Sequence, residues 1–240
     1  MKKSYLASAV TLFLLIPLTL YFGLRLTGRG YYLTATLIVV ESMVPFFLAF
    51  ERRRPQAREL VTLAVMAALA AVSRVAFNFI PHFKPITAII MITGIAFGPQ
   101  AGFLTGAVSA FASNLYFGQG PWTPWQMMAY GVGGFLAGLV FYGRKVSDKP
   151  WLTTLVYTIF GFAAIVVVVG PLLDLCTLFT TGSQVTPAFA AAIFLSGLPV
   201  NLTHGLACGL TMLLFSRPLL EKLERLKIKY GMMEADGDGL

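Results

Sequence analysis

Apolar residues run through this chain in eight long stretches with few polar interruptions, and short connectors hold nearly all the charge. The stretches are 5–24, 31–50, 60–80, 85–97, 101–117, 125–142, 151–173 and 188–215. A helix needs roughly 20 apolar residues to cross about 30 Å of hydrocarbon. The fourth stretch has only about 13, which predicts a tilt into thinned bilayer or packing among neighbours. None alternates in polarity as a barrel strand would. Backbone in lipid must satisfy its own hydrogen bonds, so the spans are predicted as helices. The expected fold class is an all-α integral membrane protein, a polytopic helical bundle.

Composition agrees: 57% of residues are hydrophobic and only 12% are charged, with a mean hydropathy of +0.78. A soluble domain has no use for that much apolar surface. The charge sorts by side. With the N-terminus in the cytoplasm, 14 of the 18 Lys and Arg residues fall inside, at Lys2, Lys3, Arg52–Arg54, Arg58, Arg144, Lys145, Lys149, Arg217, Lys222, Arg225, Lys227 and Lys229. Outside fall Arg25, Arg29 and Lys84, and Arg74 lies within a span. This positive-inside pattern predicts a multi-pass protein of the cytoplasmic membrane with both termini cytoplasmic. Basic connectors facing anionic lipid account for the net +8 without nucleic acid.

Lys2 and Lys3 before an apolar run invite a signal-peptide reading, but the run is long and no small-x-small site follows Leu24, so a retained helix is expected. Residues 51–59 (ERRRPQARE) divide the chain. Glu41 in the second span wants a partner, and Arg74 at similar depth is one candidate; Arg74 could equally snorkel outward. Beyond the divider small residues recur four apart: Ala64/Ala68, Ala67/Ala71, Gly102/Gly106/Ala110 and Gly134/Gly138. Such spacing lets helices approach closely, inside the bundle or against a second membrane subunit. Residues 217–230 are amphipathic, with Leu219, Leu220, Leu223 and Leu226 able to share a face, and read as a helix at the cytoplasmic interface. The acidic, glycine-rich 234–240 reads as a disordered tail. Cys176 and Cys208 are expected as buried small residues.

Candidate chemistry gathers in the outer connectors. The first is NFIPHFKP (78–85), the second NLYFGQGPWTPWQ (114–126), and the third runs from Asp174 to Pro187. Aromatic rings stack on planar organic ligands and amides fix their orientation. An interfacial aromatic belt is the competing reading. A pocket is expected under 118–126 from Asn114, Tyr116, Gln119, Trp122, Trp125 and Gln126, joined by His82 and Lys84. Asn201 and His204, three apart in the last span, could bond to another helix, contact ligand or relay protons. Enzymatic motifs are missing. There is no Gly-Lys for a phosphate-binding loop, no HExxH and no GxSxG, and Ser196 lies about 12 Å along a helix from His204. No catalytic residue, metal or cofactor is expected.

Three strings carry a resemblance: ARELVTLAVMAALAAVSR, FKPITAIIMITGIAFGPQAGFLTGAVSAFASN and FGQGPWTPWQMMAYGVGGFLAG, all within 57–138. They resemble the substrate-binding S components of energy-coupling factor (ECF) vitamin transporters, and the third resembles those assigned to cobalamin or its precursors. The resemblance implies a six-helix substrate-binding unit at 57–217, preceded by two extra transmembrane helices and a linker in 1–56 and followed by the amphipathic helix and tail in 218–240. It implies capture of a vitamin outside and delivery inward by a membrane coupling subunit and two cytoplasmic ATPases, with Ala64, Ala67, Ala68 and Ala71 meeting that subunit. The residues alone leave open an ion-coupled secondary transporter, an S component for another vitamin, or a structural subunit of a membrane complex.

Overall fold

The structure is a computed structural model describing residues 10–23, 30–52, 55–181 and 185–232. Among these, every regular element is helical. A wide π turn at Thr11–Leu15 enters α1 (Ile16–Gly23), followed by α2 (Gly30–Arg52), α3 (Ala57–Ala76), α4 (Ile86–Phe97), α5 (Pro99–Phe117), α6 (Thr123–Phe141) and α7 (Pro150–Ala164). A second π turn, Ile165–Val169, carries α7 into α8 (Gly170–Thr181), and α9 spans Pro187–Tyr230. Each apolar stretch is thus mainly helical where described, the third giving way to a turn at 77–80; the parts of the first stretch at 5–9 and at Leu24, and the tail 234–240, lie outside the described residues. Four helical segments are long and apolar enough to cross a membrane alone: Leu33–Glu51, Ala57–Ala76, Pro150–Thr181 and Pro187–Tyr230. The protein is a polytopic helical membrane protein.

The short fourth span has a packing explanation. Every residue of α4 is buried, so the helix is enclosed by neighbours and needs no thinned bilayer. Gly98 turns the chain from α4 into α5 at φ 93°, a conformation open to glycine, and Pro99 starts the next helix. Gly94, Gly102 and Gly134 meet where α4, α5 and α6 cross. A Cβ on Gly94 or Gly102 would collide with the Gly134 carbonyl oxygen. These glycines serve contact inside the bundle. Gly134→Ala forces α5 and α6 apart and is expected to destabilise the fold by about 1–3 kcal/mol; an unchanged melting temperature in detergent would contradict the close contact.

The alanines of α3 divide between two faces. Ala67 and Ala71 are buried in the bundle, whereas Ala64 and Ala68 are exposed. Among the preceding helices, Thr19 Oγ1 donates to Glu41 Oε1 at 2.6 Å, tying α1 to α2. The Glu41–Arg74 pair does not form; Arg74 turns toward α5. Phe46 on α2 stacks on Phe103 of α5 at 4.1 Å between ring centroids, so the second helix covers the α5–α6 face.

α9 is 44 residues long, about 66 Å at helical rise. Thr186 caps its start, accepting from the Phe189 backbone N–H at 3.2 Å. The amphipathic 217–230 stretch continues this helix without a break, and it does not lie apart at an interface. Leu219 and Leu220 pack on the core, Leu223 is buried, and Arg58 donates to the Tyr230 carbonyl at 2.9 Å. The turns 77–85 and 118–122 share one end of the bundle with Lys84 their only Lys or Arg; the opposite, basic end holds Arg58, Arg144, Lys145, Lys149 and the cations of 217–229.

Candidate functional site

A cavity of about 410 Å³ opens at the sparsely charged end. Its walls come from His82 and Lys84 in the first turn, Trp122, Gln126 and Tyr130 at and within α6, Asp174 and its neighbours on α8, and Ser196, Gly197, Asn201 and His204 on α9. His82 adopts φ 61°, a left-handed conformation uncommon outside glycine. Lys84 makes no ion pair among the described residues.

One wall is a reciprocal lock between α8 and α9. Asn201 Nδ2 donates to Asp174 Oδ2 at 2.7 Å. Each polar residue fits against a glycine on the facing helix: a Cβ on Gly197 would collide with the Asp174 carboxylate, and one on Gly170 with the Asn201 amide. Each glycine lies one turn before the polar residue of its own helix. Asp174 is buried in this setting and keeps Oδ1 as a further acceptor. The π turn immediately before Gly170 sets the phase of this face.

The floor is aromatic and imidazole. Tyr130 is fully buried, its ring edge-on to His204 with centroids 6.1 Å apart. Its hydroxyl has no hydrogen-bond partner among the described residues, an unusual state for a buried polar group. His204 Nε2 lies 3.2 Å from Thr87 Oγ1.

Behind Gln126, which alone of this group lines the cavity, runs a fixed chain of hydrogen bonds. Arg74 Nη1 donates to Ser113 Oγ at 2.6 Å and to Asn114 Oδ1 at 2.8 Å, while its guanidinium sits 4.5 Å over the Phe117 ring. Asn114 Nδ2 then donates to Thr123 Oγ1 at 3.0 Å and to Gln126 Oε1 at 2.8 Å. Thr123 Oγ1 donates in turn to Gln119 Oε1 at 2.9 Å.

Of the ten residues expected at the site, His82, Lys84, Trp122, Gln126, Asn201 and His204 line this cavity. Asn114 stands behind the wall, fully buried, and reaches it through Gln126. Gln119 is exposed; its amide donates to the Phe111 carbonyl at 2.9 Å, which secures the connector. Tyr116 is exposed and edge-on to Phe117, outside the cavity. Trp125 is buried away from it, tilted on Phe179 and in a cluster with Val39 and Cys176. Its indole N–H points at Thr36 of α2, 3.5 Å away, so it holds a preceding helix to the bundle. Tyr130, Ser196 and Gly197 are not among the residues expected at the site, and Asp174 is expected in a connector. A Gly-x-x-x-polar pattern recurs at Gly170/Asp174 and Gly197/Asn201, and it is the signal that marks them.

Residues 55–222 match the family described as the ECF-type riboflavin transporter S component. The chain belongs to that family. It is a family of transporter subunits, so the protein is not an enzyme. The chain is also similar to a UPF0397 protein of Vibrio atlanticus (strain LGP32), 31% identical over 88 residues, which are 35% of this chain and 48% of that one. A protein named folate transporter FolT from Streptococcus mutans serotype c (strain ATCC 700610 / UA159) is 29% identical over 128 residues, 50% of this chain and 66% of its own. Another FolT, from Clostridium novyi (strain NT), is 29% identical over 91 residues, 38% of this chain and 48% of its own. The chain spans about half the length of the first of these relatives. No solved structure matches the chain.

Proposed function

We propose that this S component captures a planar heteroaromatic vitamin of flavin or pterin size at the outer face of the cytoplasmic membrane, with both termini cytoplasmic. A membrane coupling subunit and two cytoplasmic ATPases then drive its delivery inward. The observation that carries the reading is the cavity of about 410 Å³, walled by Trp122, by Tyr130, whose hydroxyl has no partner among the described residues, and by the Asp174–Asn201 pair. Rings supply stacking and the few polar groups supply orientation, as small-molecule sites generally do. The positive-inside rule assigns the cavity end to the outside.

The corrinoid narrowing is given up. Neither the family's description nor the relatives' names point to it. The cavity also lies toward the low end of the roughly 300–1,000 Å³ that drug-sized ligands occupy, whereas a corrinoid with its amide side chains is far larger. The family's description names riboflavin and two of the relatives are named for folate, both planar ring systems.

The test is titration of purified protein with riboflavin, folic acid and cobalamin, read by calorimetry. A planar vitamin should bind and cobalamin should not; cobalamin binding alone would overturn the size argument. Trp122 is half-exposed at the mouth, where a ligand would cover its ring. Trp122→Ala should weaken the planar ligand by on the order of 1–3 kcal/mol. Unchanged affinity would make it a membrane-belt residue.

A further inference from the structure

The relay behind Gln126 has a property that hydrogen-bond chemistry fixes without reference to any ligand. Arginine has only donors, at every nitrogen. The Asn114 atom facing Arg74 must therefore be the oxygen, which sends the Asn114 amide nitrogen toward Gln126. That nitrogen carries two hydrogens; Thr123 Oγ1 accepts one, and the other, pointing at Gln126, needs an acceptor, so Gln126 turns its oxygen inward. Its NH2 group is then left to face the cavity. Gln126 lines that cavity and Asn114 is fully buried, so the chain of orientation runs from a buried cation to the pocket surface. Side-chain amides otherwise rotate freely between two nearly isosteric states, and only their partners decide which is adopted.

We infer that Arg74 is a positioning residue for specificity: through Asn114 it holds Gln126 with its donor edge toward the ligand, so the site selects a ring that presents a carbonyl acceptor there. The inference rests on the proposed capture of a planar vitamin and names the polarity of the edge that is read. Arg74 touches no ligand in this scheme. Leaving the wrong edge against Gln126 would bury two donors, or two acceptors, against each other, and sites built on such contacts discriminate strongly.

Asn114→Asp reverses the relay without removing it. The carboxylate it introduces offers acceptors on both sides. One still receives Arg74, now as an ion pair that supports the fold. The other demands a donor, so Gln126 flips and shows its oxygen to the cavity. Arg74→Lys keeps a donor-only partner and should keep the wild-type orientation. Arg74→Met removes the constraint, letting both amides adopt either state.

The probes are folic acid and aminopterin, which differ by a ring carbonyl in the first and an amino group on the same carbon in the second. Affinities for both are measured on full-length wild type and the three variants, with melting temperatures as a check on folding. Wild type and Arg74→Lys should favour folic acid. Arg74→Met should bring the ratio toward unity. Asn114→Asp should favour aminopterin, a swing of roughly 30-fold or more in the ratio. A merely structural role would weaken both probes together and leave the ratio alone, and that outcome overturns the relay. Equal wild-type affinity for the two probes also overturns it. Failure of the wild type to bind either probe or riboflavin withdraws the functional reading itself, and the relay with it; binding with an unaltered ratio across the variants sinks the relay only.

Discussion

Asp174→Ala is expected to weaken ligand binding roughly 100-fold, about 3 kcal/mol, with the bundle still folded. The carboxylate is buried, seated over Gly197 and held by Asn201 on one oxygen, which leaves the other to meet a ligand donor. Truncation removes that acceptor and also frees the Asn201 amide, so the wall loses both its charge and its fixed geometry. Asp174→Asn keeps the shape and separates the two effects: affinity close to wild type would mean that the shape matters and the charge does not. Calorimetric titration with the planar vitamin measures both variants. Wild-type affinity in Asp174→Ala, at an unchanged melting temperature, would remove Asp174 from the site. An affinity that rises with sodium in the wild type would instead favour the ion-coupled reading, in which a buried acid is the coupling group.

The second large effect concerns assembly and is expected to leave the cavity untouched. Ala64 and Ala68 are exposed on α3, flanked by exposed Leu60, Val61, Val65 and Val72, while Ala67 and Ala71 are packed inside. Of the four alanines, only the first two are free to meet a coupling subunit. Two leucines at 64 and 68 would add bulk where the proposed coupling subunit would have to approach closely. The double variant is expected to lose co-purification with the coupling subunit and to abolish uptake, with vitamin binding kept within about twofold. Ala67→Leu should behave differently, lowering the melting temperature because it overfills the core. Normal assembly in the double variant would move the contact to another face.

The spans were legible because hydrophobic length and charge sidedness are one-dimensional signals. The azimuth of each residue around its helix was not, and the corrections trace to it. Glu41 and Arg74 have similar depth, yet they face different neighbours, and no count along the chain reveals that. Trp122 and Trp125 stand three apart where a turn becomes a helix. Only the start of α6 at Thr123 decides that the first faces the cavity and the second faces Phe179 and Thr36. Tyr116 reads as a connector residue near the site, but it lies in the last turn of α5, exposed and outside the cavity. Asp174 reads as a connector residue because the apolar run stops at Leu173, whereas the helix continues to Thr181. The reciprocal glycines that seat Asp174 and Asn201 lie on different spans, and their complementarity exists only once α8 and α9 are side by side.

The five residues Ile165–Val169 wind more loosely than an α-helix, and so they take up about one residue more than a regular turn would. Wound at α pitch, the same stretch would rotate everything after it by about 100° around the axis. Gly170 would no longer oppose Asn201, and Asp174 would swing away from Gly197. The loose turn therefore works as a phase adjuster. It uncouples the face that α7 packs on the bundle from the face that α8 shows to the cavity, so neither has to compromise for the other. Dropping one residue from this turn is the length change the span can absorb with both faces kept in place, whereas a single deletion between Gly170 and Asp174 would break the seat of the acid.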